Sequence, residues 1–275
     1  MPNITTAKSI EYGKMLEHNI TRDLYPNKRS LIMEYEKVFN PLLLVTAKRY
    51  VGNKYEFDPN EYKLNVNGLQ LVKRDSAVLC VKTMQGFFDR VFKDNDKVAA
   101  GRFVVESIRK LYSDETPLEY FRLTKKLSKR VQDYDVIPPH IGAWQRMVQR
   151  VGKTEAPSIG EMFDYIITRV GKRQKGLGDS MVDFELAKEQ NLATSIDKNH
   201  YFKLAMDKPL RDPMNLILGK ATTDRILNPN NYQQIETVVP KKGNILAAFG
   251  MGAITLKKRQ LDYMTLNNDE KKVKK

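Results

Sequence analysis

Three cationic groups and one pair of carboxylates are the residues whose types and spacing could do chemistry. Lys48-Arg49-Tyr50 follows directly on the apolar run Leu42–Thr46, which would set two cations and an aromatic rigidly at a strand end. Such a group suits a phosphate backbone or a minor groove, where Lys and Arg donate to acceptors shared by all base pairs. It equally fits a solvated strand end with Tyr50 half buried. Lys73-Arg74-Asp75 is the second group; an ion pair from Asp75 would preorganise Arg74 for a bidentate phosphate contact. Arg146, Arg150 and Lys153 recur at helical spacing opposite the apolar stripe Ile141, Trp144, Val148 and Val151. That row is either partner-facing or a solvated charged face. Glu34 and Glu36 are two residues apart and share a face if their segment is a strand. Two such carboxylates can approach a divalent cation or form the solvent face of an antiparallel strand.

Other chemistries fail on the residues. Gly152-Lys153-Thr154 resembles the end of a phosphate-binding loop, but Met147 stands at the upstream glycine position. Gly176-Leu177-Gly178 is a lone glycine pair, and no Gly-x-Ser-x-Gly elbow occurs. Cys80 sits in an apolar helical pattern, where packing is its role. One cysteine and three histidines exclude a disulfide framework and a multi-cysteine metal module. No set of acid, base and nucleophile can be assembled. The 275 residues carry 47 Lys and Arg against 33 Asp and Glu, a net charge of +14, which points to a polyanionic partner. No apolar run approaches the roughly 18 residues that span a bilayer, and no secretory signal is visible. The expectation is an intracellular soluble protein without a membrane partner.

Around these groups the pattern predicts an α+β chain: a small antiparallel sheet with one helix, then a mainly helical part. A helix is expected over Thr5–Thr21, with Met15 and Leu16 towards the core. Alternation predicts a strand over Leu31–Val38, a turn at Asn40-Pro41, and a second strand over Leu42–Thr46 inside the sheet. A third strand over Lys48–Tyr55 follows, and Asn67-Gly68 reads as a hairpin turn. Helices are expected over Ala77–Val91 and Lys97–Tyr112, a strand over Tyr120–Leu127, and a helix opened by Pro138-Pro139. A strand over Met162–Val170, a basic loop over Gly171–Gly178, and short helices over Asp183–Asn191, His200–Met206 and Pro213–Leu218 complete the pattern. Three regions result: 1–75, 76–240, and a basic tail over 241–275.

The order of segments carries a resemblance. Met33-Glu34-Tyr35-Glu36-Lys37-Val38-Phe39-Asn40-Pro41, then Thr46-Ala47-Lys48-Arg49-Tyr50-Val51-Gly52, then Gly68 with Val72-Lys73-Arg74-Asp75 resembles the C-terminal half of a family B, delta-like DNA polymerase. Leu123-Thr124-Lys125-Lys126-Leu127-Ser128, Pro139-His140-Ile141, Pro157 to Ile167, and His200-Tyr201-Phe202 to Pro209-Leu210 continue it in order. The resemblance implies a C-terminal palm over 1–75, a thumb over 76–240, and primer–template DNA duplex as partner. Lys48, Arg49 and Tyr50 match the last three positions of the duplex-binding Lys-Lys-Arg-Tyr motif; Ala47 departs from the first. Lys73, Arg74 and Asp75 stand at its Arg-Arg-Asp position. Lys125, Arg146, Arg150 and Lys153 would face duplex from the thumb. Glu36, and secondarily Glu34, would lie near the catalytic metals, with Mg2+ at the assembled site held mostly by a partner segment. The family's Asp-x-x-Ser-Leu-Tyr-Pro-Ser and Tyr-Gly-Asp-Thr-Asp-Ser motifs do not occur here. The resemblance therefore implies nucleotidyltransferase activity only with a complementary N-terminal polymerase chain. The missing cysteine-rich module suggests a viral relative, acting in the host nucleus or at a cytoplasmic replication site. Ile245, Leu246 and Phe249 resemble a sliding-clamp docking peptide. A polymerase-derived DNA-binding protein without catalysis is the alternative, and an unrelated RNA-binding protein the third; no aromatic platform on the expected strands supports the last.

Overall fold

The computed structural model describes residues 4–24, 31–169 and 177–232. The clamp-like Ile245, Leu246 and Phe249 lie outside the described residues, as does most of the basic glycine loop. The architecture is α+β, with two small antiparallel sheets among helices.

Helix α1 spans Thr6–Leu24, and the Thr5 hydroxyl accepts from the Lys8 N–H at 3.3 Å in its first turn. Its inward face is narrow. Ile10 is the one buried residue of the helix, while Met15 and Leu16, expected towards the core, are exposed. Residues 31–37 form no regular strand despite their alternation. The Met33 N–H donates to Thr21 Oγ1 at 2.9 Å and the Tyr35 N–H to Glu17 Oε2 at 2.8 Å. Side chains of α1 thus take donors that a neighbouring strand would otherwise use. Gly13 makes this approach feasible, since a Cβ there would stand 2.3 Å from the Tyr35 ring.

Strand β1 (Val38–Thr46) runs through the expected turn at Asn40-Pro41, which is a cis peptide accompanied by a register shift between Phe39 and Leu42. With β2 (Arg49–Tyr55) and β3 (Lys63–Asn67) it forms a sheet in the order β1-β2-β3. β1 is therefore an edge strand, with Leu42 and Leu44 exposed, not the interior strand that its apolar run suggested. The interior place belongs to β2, whose Val51, Gly52 and Asn53 are buried. Asn67-Gly68 closes no hairpin. Gly68 has φ +66°, ends β3, and leads to a tight turn at Gln70–Val72. A Cβ at Gly68 would lie 2.2 Å from the Lys48 carbonyl oxygen, so close approach and backbone conformation both demand glycine.

Beyond Leu69 the interior is dense. Helices α2 (Val78–Phe92) and α3 (Lys97–Tyr112) pack together. Asp96 caps α3, its Oδ1 accepting from the Ala99 N–H at 2.8 Å. Met84, Phe87 and Phe88 of α2 and Val104 and Ile108 of α3 are closed to solvent. The second sheet has the order β4-β5-β6, from Leu123–Lys126, Met162–Ile167 and Met181–Asp183. β4 is shorter than the expected strand because Leu118–Phe121 forms a tight helical turn. Helix α4 (Pro139–Val151) lies between β4 and β5 in the chain, and α5 (Leu177–Ser180) and α6 (Phe184–Glu189) flank β6. α7 (Lys198–Tyr201) widens into a π-type segment at Phe202–Asp207 before α8 (Lys208–Leu218) and α9 (Lys220–Ile226). The buried Tyr201 hydroxyl donates to the Phe121 carbonyl at 2.5 Å and accepts from the Ile167 N–H at 3.1 Å. That one side chain ties the approach to β4, the end of β5 and α7 together.

Candidate nucleic-acid interface

The first cationic group sits on the β1–β2 hairpin. Lys48 is at the two-residue turn with φ 62° and is exposed. Arg49 begins β2, and its Nη1 meets Asp212 Oδ2 of α8 at 3.2 Å. Tyr50 packs edge-on against Phe39, ring centroids 5.5 Å apart. The half-buried reading of Tyr50 holds, and Arg49 is aimed by a carboxylate 163 residues away. No sequence spacing signals that partner.

The chain then runs from Gly68, pressed on Lys48, through the Gln70–Val72 turn to the second group. Lys73, Arg74 and Asp75 are exposed. Asp75 does not pair with Arg74; its Oδ2 takes the Lys125 Nζ of β4 at 2.5 Å. The bond from Lys125 holds the Asp75 carboxyl below its ordinary range. Lys73, Arg74, Lys125 and Lys126 with His140 consequently line one open depression of about 560 Å³. Thr124, Ser128 and Tyr134 add hydroxyls to its wall. Four cations face one carboxylate there, so the depression favours an anion with several oxygens. Burial, then the Lys125 charge, lowers the His140 pKa, so this imidazole is neutral at pH 7 and adds hydrogen bonding but no charge. Sequence reasoning missed Lys126 and His140, although Lys125-Lys126 adjoin and Pro139-His140 opens a helix.

The third group behaves differently from expectation. Arg146 Nη2 donates to the Gly178 and Met181 carbonyls at 2.7 and 2.8 Å. Arg150 Nη2 pairs with Asp183 Oδ1 at 2.7 Å, and its Nη1 reaches Glu189 at 3.4 Å. The Asp183 side chain is only 5% exposed. These guanidinium groups therefore fasten α4 to α5, β6 and α6, where a free basic row was expected. The reason is visible in the helix: buried Ala143 lies on the arginine side, so that side is packed too. Lys153, in the turn after α4, is exposed.

Among the described residues the carboxylate pair gathers no third ligand. Glu34 and Glu36 lie in the segment before β1, which pairs with no strand, and both are exposed. Glu36 is 77% exposed and bonded to Lys37. Among the described residues no group of three or more His, Cys, Asp or Glu could hold a metal ion. Cys80 is buried, and burial pushes its thiol up to about 12, consistent with packing.

The site thus belongs to a class: a basic surface spread over a hairpin and two loops, fit for phosphates and, among the described residues, without a catalytic carboxylate cluster. Comparison with known proteins gives the family. The model of DNA polymerase family B matches residues 1–217, and the chain belongs to that family. It is 28% identical over 214 residues to the DNA polymerase delta catalytic subunit of Glycine max, covering 78% of this chain and 19% of that protein. It is 28% identical over 222 residues to the Candida albicans delta catalytic subunit, covering 80% and 20%. The Caenorhabditis elegans delta catalytic subunit is 26% identical over 245 residues, covering 89% and 22%. The chain spans 19–22% of the length of these curated relatives.

Proposed function

We propose that this chain is the C-terminal palm and thumb portion of a DNA-directed DNA polymerase, and that it grips primer–template duplex. Residues 1–75 are the palm part, 76–240 the thumb, and 241–275 a basic tail in which Ile245, Leu246 and Phe249 would form the clamp-docking element. The observation that carries the reading is the depression where Lys73 and Arg74 meet Lys125 and Lys126. Lys48 and Arg49 extend the basic surface along the preceding hairpin. These cations would hold phosphate oxygens of the duplex, with no base sequence read. Positioning of the primer end is the contribution of this chain. The aspartates for the chemistry, and with them the ligands for the divalent metal ions, would come from the complementary N-terminal segment. Glu36, and secondarily Glu34, would lie near those ions.

Duplex binding titrated against salt tests this reading. Lys73→Ala with Lys125→Ala should weaken binding to every duplex sequence alike. The slope of log K against log salt should fall by roughly 0.9 for each phosphate that is no longer neutralised. An unchanged slope removes the depression from the interface. Failure of any mixture with the complementary segment to extend a primer would leave a polymerase-derived DNA-binding protein without catalysis.

A further inference from the structure

A second cavity, of about 260 Å³, adjoins the basic depression across the Asp75–Lys125 ion pair, and those two residues line both. One side of it is a face of the second sheet. Leu123 of β4 pairs with Tyr165 of β5, and Ile167 of β5 pairs with Met181 of β6. Residues opposite each other and two apart share a face, so these four form one wall. Cys80 of α2, with His200 and Leu204 from α7 and the segment after it, lines the rest of its apolar part.

Three groups in this cavity have hydrogen bonds to give. Tyr165 is 5% exposed and its ring stacks on Phe163 with centroids 5.8 Å apart. Its hydroxyl bonds to no group among the described residues, whereas the buried Tyr201 and Tyr112 hydroxyls both find protein partners. Burial, then the Asp75 charge, pushes the Tyr165 pKa up to about 12, so at pH 7 the group is a donor. A buried donor without an acceptor is costly. His200 gives its backbone N–H to Asp197, and its imidazole lines the cavity. Burial foremost lowers the His200 pKa, and the neutral ring can both donate and accept. Gln70 Oε1 accepts from Ser76 Oγ at 2.9 Å, which leaves its Nε2 donors without a partner among the described residues.

Size and charge narrow the occupant. Pockets for drug-sized ligands begin at roughly 300 Å³, so this cavity has room for about one ring system. Its charged groups, Asp75 and Lys125, neutralise each other, so the occupant is uncharged. It must also present an acceptor to Tyr165 and polar edge atoms to His200 and Gln70. Across the ion pair lie the cations of the depression, which suit phosphate. An uncharged heterocycle held a short distance from a phosphate describes a nucleotide.

We infer that this cavity takes the base of one unpaired nucleotide, extruded from the strand whose phosphates lie in the depression. The apolar sheet face covers the ring, and the Tyr165 hydroxyl donates to a carbonyl oxygen or ring nitrogen on its edge. A base that has no partner in the duplex costs least to unstack. The chain would therefore hold a duplex with one extra nucleotide more tightly than a perfect one. The inference rests on the polymerase reading and adds a site that senses a slipped strand.

The test titrates the 275-residue chain with duplexes that carry one extra nucleotide, moved a position at a time, against the perfect duplex at one salt concentration. At one position, or two adjacent ones, the bulged duplex should bind about tenfold more tightly, as one stacked base supplies. An abasic nucleotide at that position should remove the preference. So should Tyr165→Phe, which keeps the ring, and Leu204→Trp, which fills the cavity from its open side. Both variants should keep the urea midpoint and the affinity for perfect duplex. Lys73→Ala should weaken both duplexes alike. Equal affinity at every position, a preference that survives the abasic nucleotide, or one indifferent to both variants would overturn the inference and leave the duplex reading standing. Tyr165-dependent binding of free adenosine monophosphate without any bulge preference would also overturn it. Failure to bind any duplex would sink the polymerase reading and this inference with it.

Discussion

The part before Leu69 and the part after it contain similar kinds of residues and treat them in opposite ways. After Leu69, Met84, Phe87, Phe88, Ile108, Ile166 and Met206 are sealed among helices and the second sheet. Before it, Tyr12, Leu16, Leu24, Ile32 and Leu44 face outward from one helix, an irregular segment and an edge strand. Hydrophobic burial stabilises by roughly 25 cal/mol per Å² removed from water, so the later part carries the stability of this chain. The earlier part is held by polar ties, such as Asn40 Nδ2 to Thr6 Oγ1 at 2.9 Å and Asn53 Nδ2 to the Phe92 carbonyl at 3.3 Å.

The contrast is sharpest in its largest expected effect. Phe88→Ala should cost about 3–5 kcal/mol, read as a lower urea midpoint, while Leu16→Ala should change stability by less than about 0.5 kcal/mol. Equal losses would abolish the contrast between the two parts. Arg150→Ala should cost about 1–3 kcal/mol because it strands the buried Asp183 carboxylate. Its duplex salt slope should not move, and a smaller slope with unchanged stability would restore α4 to the interface. Gly68→Ala forces a Cβ onto the Lys48 carbonyl at a positive φ and should cost about 1–3 kcal/mol. This would show that the early part, too, has a rigid point.

The ionisation effects are smaller. Asp75 titrates below its ordinary value in the folded chain, so its contribution is present above the unfolded carboxylate value and is lost as pH falls through the folded one. Asp75→Asn should therefore be the less stable protein at pH 7, by no more than about 1 kcal/mol because both partners are half exposed. Urea midpoints of the two proteins should converge in the acid limb; a gap that persists at the lowest pH would place the effect outside ionisation. Smallest of all, the Cys80 thiol, pushed up to about 12, should resist alkylation at pH 8 until urea unfolds the later part. Rapid labelling in native buffer would mean that its core opens readily.

Much of the fold was legible because local signals agreed with the tertiary outcome. Lys97–Tyr112 has an Asp cap, regular apolar spacing and a break before it, and the helix occupies those bounds. The Pro-opened helix α4 and the strand at Met162 were likewise set by local pattern. The failures are instructive for the same reason. Leu31–Val38 alternates as a strand should, but a strand needs a neighbour, and α1 side chains supply only part of one. Leu42–Thr46 is apolar enough for a sheet interior, yet its place at the edge depends on which strands are present. At the candidate site, Lys48, Arg49, Lys73 and Arg74 stood out as cations near strand ends, and Lys125 through the resemblance. Asp212 beneath Arg49 and the Asp75–Lys125 bond did not, since both cross long stretches of chain.

The sequence by itself determined the charge, the order of the family's segments, the α+β class and the lack of the family's aspartate motifs. Those properties live in residue type and short spacing. Only the tertiary structure decided which cations share a surface. Arg146 and Arg150 look as available as Lys73 and Arg74 in the sequence, but a guanidinium can be used inwardly when backbone carbonyls and the Asp183 carboxylate need a donor. Tertiary packing also decided which apolar residues stay outside. Periodicity identifies an apolar face, whereas burial requires a second surface to meet it, and for α1 that surface is not found among the described residues.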